Sequence, residues 1–177
     1  MNKKLEIAAD KIEIADVVYR YCRAIDRMDR ELLESVFHED SIHHHGEYEG
    51  PSSDFCNFAF DILAEMEFTQ HLVGNLLIEV DGDIAWSEAY WTAYHRIAKG
   101  KESDMGFLAE HDTSIDEDVF VSGRYIDRFE RRNGEWKIAK RQGVHDWIRF
   151  EPANEKGQLE APGPSASRSR QDPAYQR

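Results

Sequence analysis

Residues 119–150, VFVSGRYIDRFERRNGEWKIAKRQGVHDWIRF, decide the fold. From Val119 to Arg131 and again from Glu135 to Phe150, β-branched and aromatic residues alternate with polar ones. A period of two sends alternate side chains to opposite faces of a strand, which is how a half-buried sheet reads in sequence. Between the runs stands Asn133-Gly134, a pair that tolerates the positive φ angles of a tight hairpin turn. The same design occurs upstream, where the β-rich runs Thr69 to Val80 and Ile84 to Ile97 are joined at Asp81-Gly82. Two long hairpins therefore fill the second half of the folded body.

Ahead of them the period is helical. Ile14, Val18, Tyr21, Ile25 and Met28 recur at spacings of four and three, one stripe of an amphipathic helix over about residues 11–28. Asp29 can cap a short second helix carrying Leu32, Leu33, Val36 and Phe37. After a short segment at 41–45, Pro51-Ser52-Ser53 opens a third helix with Phe55, Phe58, Ile62 and Met66 on one face. Three helices followed by two hairpins predict an α+β fold: a curved antiparallel sheet packed on the helices, with a pocket between the layers. Residues 98–117 hold no clear element. From Glu151 onward come four of the five prolines and a Ser- and Arg-rich run, with little to bury. A folded domain at 1–150 and a flexible, dispensable tail at 151–177 are expected.

The chain has 177 residues, 35 acidic against 22 basic, for a formal charge of −13. That length suits one domain with room for a small-molecule pocket. A charge this negative repels phosphate backbones, so nucleic acid is not an expected partner. No apolar run approaches the length of a membrane span, and the N-terminus breaks into Glu6 and Asp10 before a signal-length stretch can form; a cytoplasmic protein is expected. Cys22 and Cys56 read as small buried hydrophobes rather than a disulfide or thiolate site.

Several polar residues could carry chemistry. Asp26 lies at the margin of the first helix's apolar stripe, where spacing alone favours a surface carboxylate. His71 shares a strand face with Val73 and Leu77, and such a histidine is more often a satisfied core residue than a base. A neutral imidazole becomes a base through one nitrogen when an acceptor orients the other. His43 and His45 share a face and with Glu49 form HxHxxxE, a spacing reminiscent of cupin metal sites. The cupin glycines and second histidine motif are absent, so no metal is expected and a polar sheet edge is the plainer reading. Arg141 reads from spacing as an exposed base opposite Asp127 and Glu130, and His145-Asp146-Trp147 is a further polar and aromatic cluster. No nucleophile elbow, P-loop or dinucleotide glycine fingerprint is present, so no nucleotide, flavin or other cofactor is expected.

The segments YRYCRAIDRMD, TQHLVGNLLIEVDGD, SGRYIDRFERRNGEWKIAKR and GVHDW together resemble the SnoaL-like branch of the NTF2-like superfamily, over roughly residues 8–150. The resemblance implies a cone-shaped α+β barrel. It also implies an Asp and His pair for cofactor-free elimination, as in scytalone dehydratase, bile-acid 7α-dehydratase and hexachlorocyclohexane dehydrochlorinase. Asp26 and His71 fall at the positions of that pair. Tyr21 matches the tyrosine of the bile-acid enzyme, and Arg141 matches the arginine of the dehydrochlorinase. Where the bile-acid enzyme carries its own arginine, this chain has Asp146. His95 is similar in placement to a second histidine of scytalone dehydratase, but a turn at Asp81-Gly82 would pair Val80 with Asp83 and His71 with Thr92, leaving His95 on the opposite face. A bulge would reverse that.

The expected activity is that of a lyase on a hydrophobic, aromatic or polycyclic small molecule, by dehydration, dehydrohalogenation, cyclisation or a retro-aldol or deformylating cleavage. His71 is its base, Asp26 orients the base, and Tyr21 or Arg141 assists the leaving group. His95, Trp91, Tyr90, Phe107, Tyr125, His145 and Trp147 are the expected substrate contacts. Residues 98–118 would form a lid touching substrate through Met105, Phe107 and Leu108. A non-catalytic binding subunit on the same fold is the alternative, to be preferred if Asp26 stands away from His71. The resemblance further suggests a homotrimer joined through the sheet's outer face, with Leu72, Leu76 and Ile78 on one side of the strand and Val73 and Leu77 on the other.

Overall fold

The structure, a computed structural model, describes residues 2–102, 106–154 and 166–176, apart from the side chain of Phe107. Its elements run α1 (Lys3–Arg27), α2 (Arg30–Ser35), β1 (Phe37–His45), β2 (Tyr48–Pro51), α3 (Ser52–Ala64), β3 (Met66–Asp81), β4 (Ile84–Ile97), β5 (Glu117–Arg132) and β6 (Glu135–Pro152). Short 3-10 helices cover Gly106–Glu110 and Pro173–Tyr175.

Helix α1 starts earlier than its apolar stripe because Asn2 caps it, accepting from the Lys4 amide. It ends where Met28 turns left-handed, at φ 53°. Ile14, Val18, Tyr21 and Ile25 are buried on the stripe that the spacing predicts. Asp29 caps α2 through the Leu32 amide, as expected. Asp10, a buried carboxylate of α1, accepts from Trp136 Nε1 at 3.0 Å and Arg131 Nη1 at 2.6 Å, which ties the helix to the second hairpin.

The sheet has the order β2-β1-β6-β5-β4-β3. It is open and mixed rather than antiparallel throughout, because β1 runs parallel to β6. The β5 and β6 hairpin closes at Asn133-Gly134 with φ of 54° and 83°, the turn geometry that pair of residues favours. In the first hairpin Asp81 pairs with Ile84, so the turn sits one residue later than expected. A bulge between Gly74 and Leu77, with Asn75 at φ 48°, then shifts the register again, so that His71 faces Ala93 and Thr69 faces His95.

The bulge corrects the expected faces of β3. Leu72 and Leu77 are both exposed on the outer surface, while Val73 and Leu76 pack towards the core and Ile78 is buried. Of the expected tail at 151–177, residues 155–165 lie outside the described residues. Strand β6 runs on to Pro152, and residues 166–176 pack against the helices. There Arg168 donates to the Leu63 and Met66 carbonyls, Arg170 and Tyr175 reach Asp29, and Arg27 pairs with Asp172 at 3.3 Å. No helix among the described residues is long and apolar enough to cross a membrane.

Candidate active site

The inner face of the sheet, α1 and α3 enclose a cavity of about 430 Å3. Tyr21 and Ile25 line it from α1, Phe55, Phe58 and Ile62 from α3, and His45, His71, Trp91, His95, Val121, Tyr125 and His145 from the sheet. Glu47, Asp146 and half-exposed Trp147 also line it, and among the described residues no Lys or Arg does.

Asp26 is buried rather than on the surface, and both its oxygens are used on one residue. Oδ1 lies 2.7 Å from His71 Nδ1, and Oδ2 accepts from the His71 backbone amide at 2.9 Å. A carboxylate can only accept, so Nδ1 carries the ring proton. No hydrogen bond to His71 Nε2 exists among the described residues, and the ring lines the cavity. Asp26 itself does not line it and meets it only through His71.

His95 stands beside this pair. Its ring centroid is 5.6 Å from that of His71, and Nδ1 meets Thr69 Oγ1 at 2.7 Å. The expected placement on the opposite face is overturned by the bulge at Asn75, for which the isolated Gly74 was the available sequence signal. Burial holds the proton affinity of His95 well below the ordinary histidine range, so its ring is neutral.

Arg141 is fully buried, not exposed. It grips Asp127 with two bonds, Nε to Oδ1 at 2.7 Å and Nη2 to Oδ2 at 2.6 Å. Its guanidinium lies between the rings of Tyr21 and Tyr125, at 4.0 and 4.2 Å from their centroids. Arg141 is absent from the cavity wall, so the structure places it behind the two tyrosines rather than at a leaving group. Burial drives the Tyr21 hydroxyl well above the usual phenol range, with Arg141 pulling partly back, and Tyr125 is raised in the same way.

Trp91 and Tyr125 stack at 5.3 Å to form a floor. Tyr90, one residue from Trp91, points to the outer face and is exposed, so it is removed from the expected substrate contacts. Met105 and the Phe107 side chain lie outside the described residues. Leu108 is buried in the core cluster, although it does not line the cavity.

The metal reading of His43, His45 and Glu49 fails on register. Glu49 pairs with His44 and so projects away from His43 and His45. His43 is not a polar edge either. It is fully buried and stacked on Phe55 at 3.4 Å, and neither ring nitrogen has a hydrogen-bond partner. His45 lines the cavity, a position that no sequence motif signalled. Burial raises both thiols, Cys56 to about 11, which leaves the cysteines as packing groups.

A SnoaL-like domain model matches residues 6–142. No match to a curated protein was found. Among solved structures, hexachlorocyclohexane dehydrochlorinase LinA-type3 from Novosphingobium barchaimii aligns over 91% of this chain and 100% of its own, at 20% identity and a TM-score of 0.66. A candidate scytalone dehydratase from Novosphingobium aromaticivorans aligns over 86% and 97%, at 21% identity and a TM-score of 0.65. Rv3472 of Mycobacterium tuberculosis, a protein of unknown function, aligns over 82% and 77%, at 24% identity and a TM-score of 0.62. At these identities the structures show the fold, and the domain match, which spans most of the sheet and all three helices, shows the family: the chain belongs to the SnoaL-like family.

Proposed function

We propose that the chain is a cofactor-independent lyase acting on a hydrophobic aromatic or polycyclic small molecule. The observation that carries the reading is the state of His71: Nδ1 bound to Asp26 at 2.7 Å and Nε2 left for the cavity. An imidazole so held is a base aimed at whatever the cavity encloses, and its developing charge is met by the Asp26 carboxylate. In a dehydration, Nε2 takes a proton from carbon, the C–H electron pair becomes the new double bond, and the neighbouring C–O bond breaks. The same nitrogen returns the proton to the departing hydroxide, so the net loss is water and no electron acceptor is needed. A retro-aldol cleavage would start instead from a hydroxyl proton. The mostly apolar wall suits a hydrophobic substrate, and the family's fold is shared with a dehydrochlorinase and a candidate dehydratase. Behind the wall Arg141 acts as a positioning residue for Tyr21 and Tyr125.

A non-catalytic binding subunit on the same fold is the alternative, and the 2.7 Å contact of Asp26 with His71 favours the lyase reading over it. The test is a panel of hydroxylated steroids, lignin dimers and chlorinated cycloalkanes with no cofactor added. Turnover of one of them should fall about 100-fold to 10,000-fold in His71→Ala. Equal turnover in that variant would sink the mechanism. Association as a homotrimer through the outer face, where Leu72, Leu77, Trp86, Tyr90 and Ile126 are exposed, belongs to the same proposal.

A further inference from the structure

A second group of polar atoms lies in the cavity, apart from Asp26 and His71. His45, on β1, and His145, on β6, meet edge to face with centroids 4.8 Å apart. Both line the cavity, and no described residue hydrogen-bonds His45. Its Nδ1 is wholly buried without a partner, so Nε2 is the ring nitrogen available to a ligand. Among buried backbone groups an orphaned N–H is rarer than an under-satisfied acceptor, and the same preference applies to the ring. The ring proton therefore belongs on Nε2, which makes His45 a donor into the cavity.

The site is built by the backbone around it. His45 faces Gly143 across β1 and β6, and Trp91 faces Gly123 across β4 and β5. A Cβ on Gly143 would collide with His45 Nδ1, and one on Gly123 would collide first with the Val144 carbonyl and also fall 2.9 Å from Trp91 Cζ2. Side chains are thus missing at the two places where these rings lie down against the sheet.

The charge of the site restricts its ligand. Burial lowers the pKa of His45 to about 3, with His145 and Arg141 adding to the effect. His145, at the mouth, is lowered by desolvation against the pull of Asp146. Two uncharged imidazoles flanked by Glu47 and Asp146, with no lining cation among the described residues, have nothing to offer a carboxylate or phosphate. A hydroxyl suits them, since it accepts from His45 Nε2 and donates to whichever His145 nitrogen is unprotonated.

We propose that His45 and His145 form a hydrogen-bonding subsite for a hydroxyl of an uncharged aromatic substrate, which lies across Trp91 and Tyr125 with its reacting end at His71. The Trp91 ring lies 6.3 Å from that of His71 and 5.4 Å from that of His145, centroid to centroid, so one aromatic substrate laid on the indole can reach both. The word substrate rests on the lyase reading, whereas the subsite itself is a claim about binding.

Equilibrium dialysis with 2-naphthol, naphthalene and 2-naphthoate at pH 7.5 tests it without turnover. The wild-type protein should bind 2-naphthol about tenfold more tightly than naphthalene, the yield of two neutral hydrogen bonds, and 2-naphthoate more weakly than either. His145→Phe should remove the preference for 2-naphthol while still binding naphthalene, and His45→Leu should do the same if it folds. His71→Ala should retain the preference, so loss of turnover in that variant and loss of the subsite are read separately. Equal affinity for 2-naphthol and naphthalene in the wild type, a preference that survives in His145→Phe, or tightest binding of 2-naphthoate would each overturn the proposal.

Discussion

Asp26→Asn separates the orienting role of Asp26 from its contribution to the fold. The carboxylate makes two contacts with one residue, to the His71 amide at 2.9 Å and to Nδ1 at 2.7 Å. An asparagine in the same place has one oxygen and one NH2. The backbone N–H is a fixed donor, so it takes the oxygen, and the NH2 is left facing Nδ1. Nδ1 must then accept, the ring proton moves to Nε2, and the cavity receives a donor where a base is needed. Both polar contacts survive, so stability should change little. Turnover should fall about 100-fold to 10,000-fold, the range of a lost general base, which is about 3–5 kcal/mol of activation free energy. Asp26→Ala acts in the opposite sense. It strands the buried His71 amide, at a cost of about 1–3 kcal/mol of stability, yet it leaves the imidazole free to choose either tautomer. The asparagine variant should therefore be the more stable and the less active of the two. Nitrogen-15 NMR of the His71 ring reads the tautomer before any substrate is known. A ring that keeps its proton on Nδ1 in Asp26→Asn would refute the reasoning.

Residues outside the pair carry three further predictions. His43 is buried with a proton affinity well below the ordinary histidine range, so below about pH 6.5 the unfolded chain binds a proton that the folded one refuses. Stability contributed in this way is intact above that pH and falls as pH drops, by about 2 kcal/mol at pH 5. His43→Phe should remove that increment from urea melts compared at pH 7.5 and pH 5, whatever its fixed packing cost, and an unchanged pH dependence would contradict it. Removal of residues 166–177 should lower stability by about 2 kcal/mol, chiefly through the Arg168 bonds to the Leu63 and Met66 carbonyls, and should raise KM because both residues line the cavity. An identical melting temperature would show that the segment is dispensable. Leu77→Glu together with Ile126→Glu should convert the proposed trimer to monomer in light scattering, and a wild-type protein already monomeric at micromolar concentration would end that proposal.

The hairpins, the helices and their caps were legible because each depends on short-range chemistry: Asn133-Gly134 for a turn, Asp29 for a cap, an apolar stripe for α1. The pairing of Asp26 with His71 was reached through resemblance, since helix spacing alone left Asp26 on the surface. The parallel pairing of β1 with β6 was not legible, because no local signal says which distant strand a short segment will join. With that pairing hidden, His45 could not be placed in the cavity, and the same register sends Glu49 away from it.

Several departures from expectation within β3 and β6 share one physical cause, a change of parity within a strand. Counted back from buried Ile78 by strict alternation, Leu72 would point inward and His71 outward. The bulge at Asn75 inserts one residue and exchanges them. Counted forward from buried Trp136 and Ile138, Lys140 would point inward and Arg141, Gly143 and His145 outward. The register shift between Phe129 and Arg128, which passes over Ala139, turns all three inward. Without these two irregularities the sheet would present leucine and lysine to the cavity, and His71 and His145 would face away from it. The regular stretches of strand supply the core, and the two bulges aim the polar side chains. A sequence shows the first as periodicity and shows the second only as an isolated Gly74 or as a lysine where an apolar residue was due.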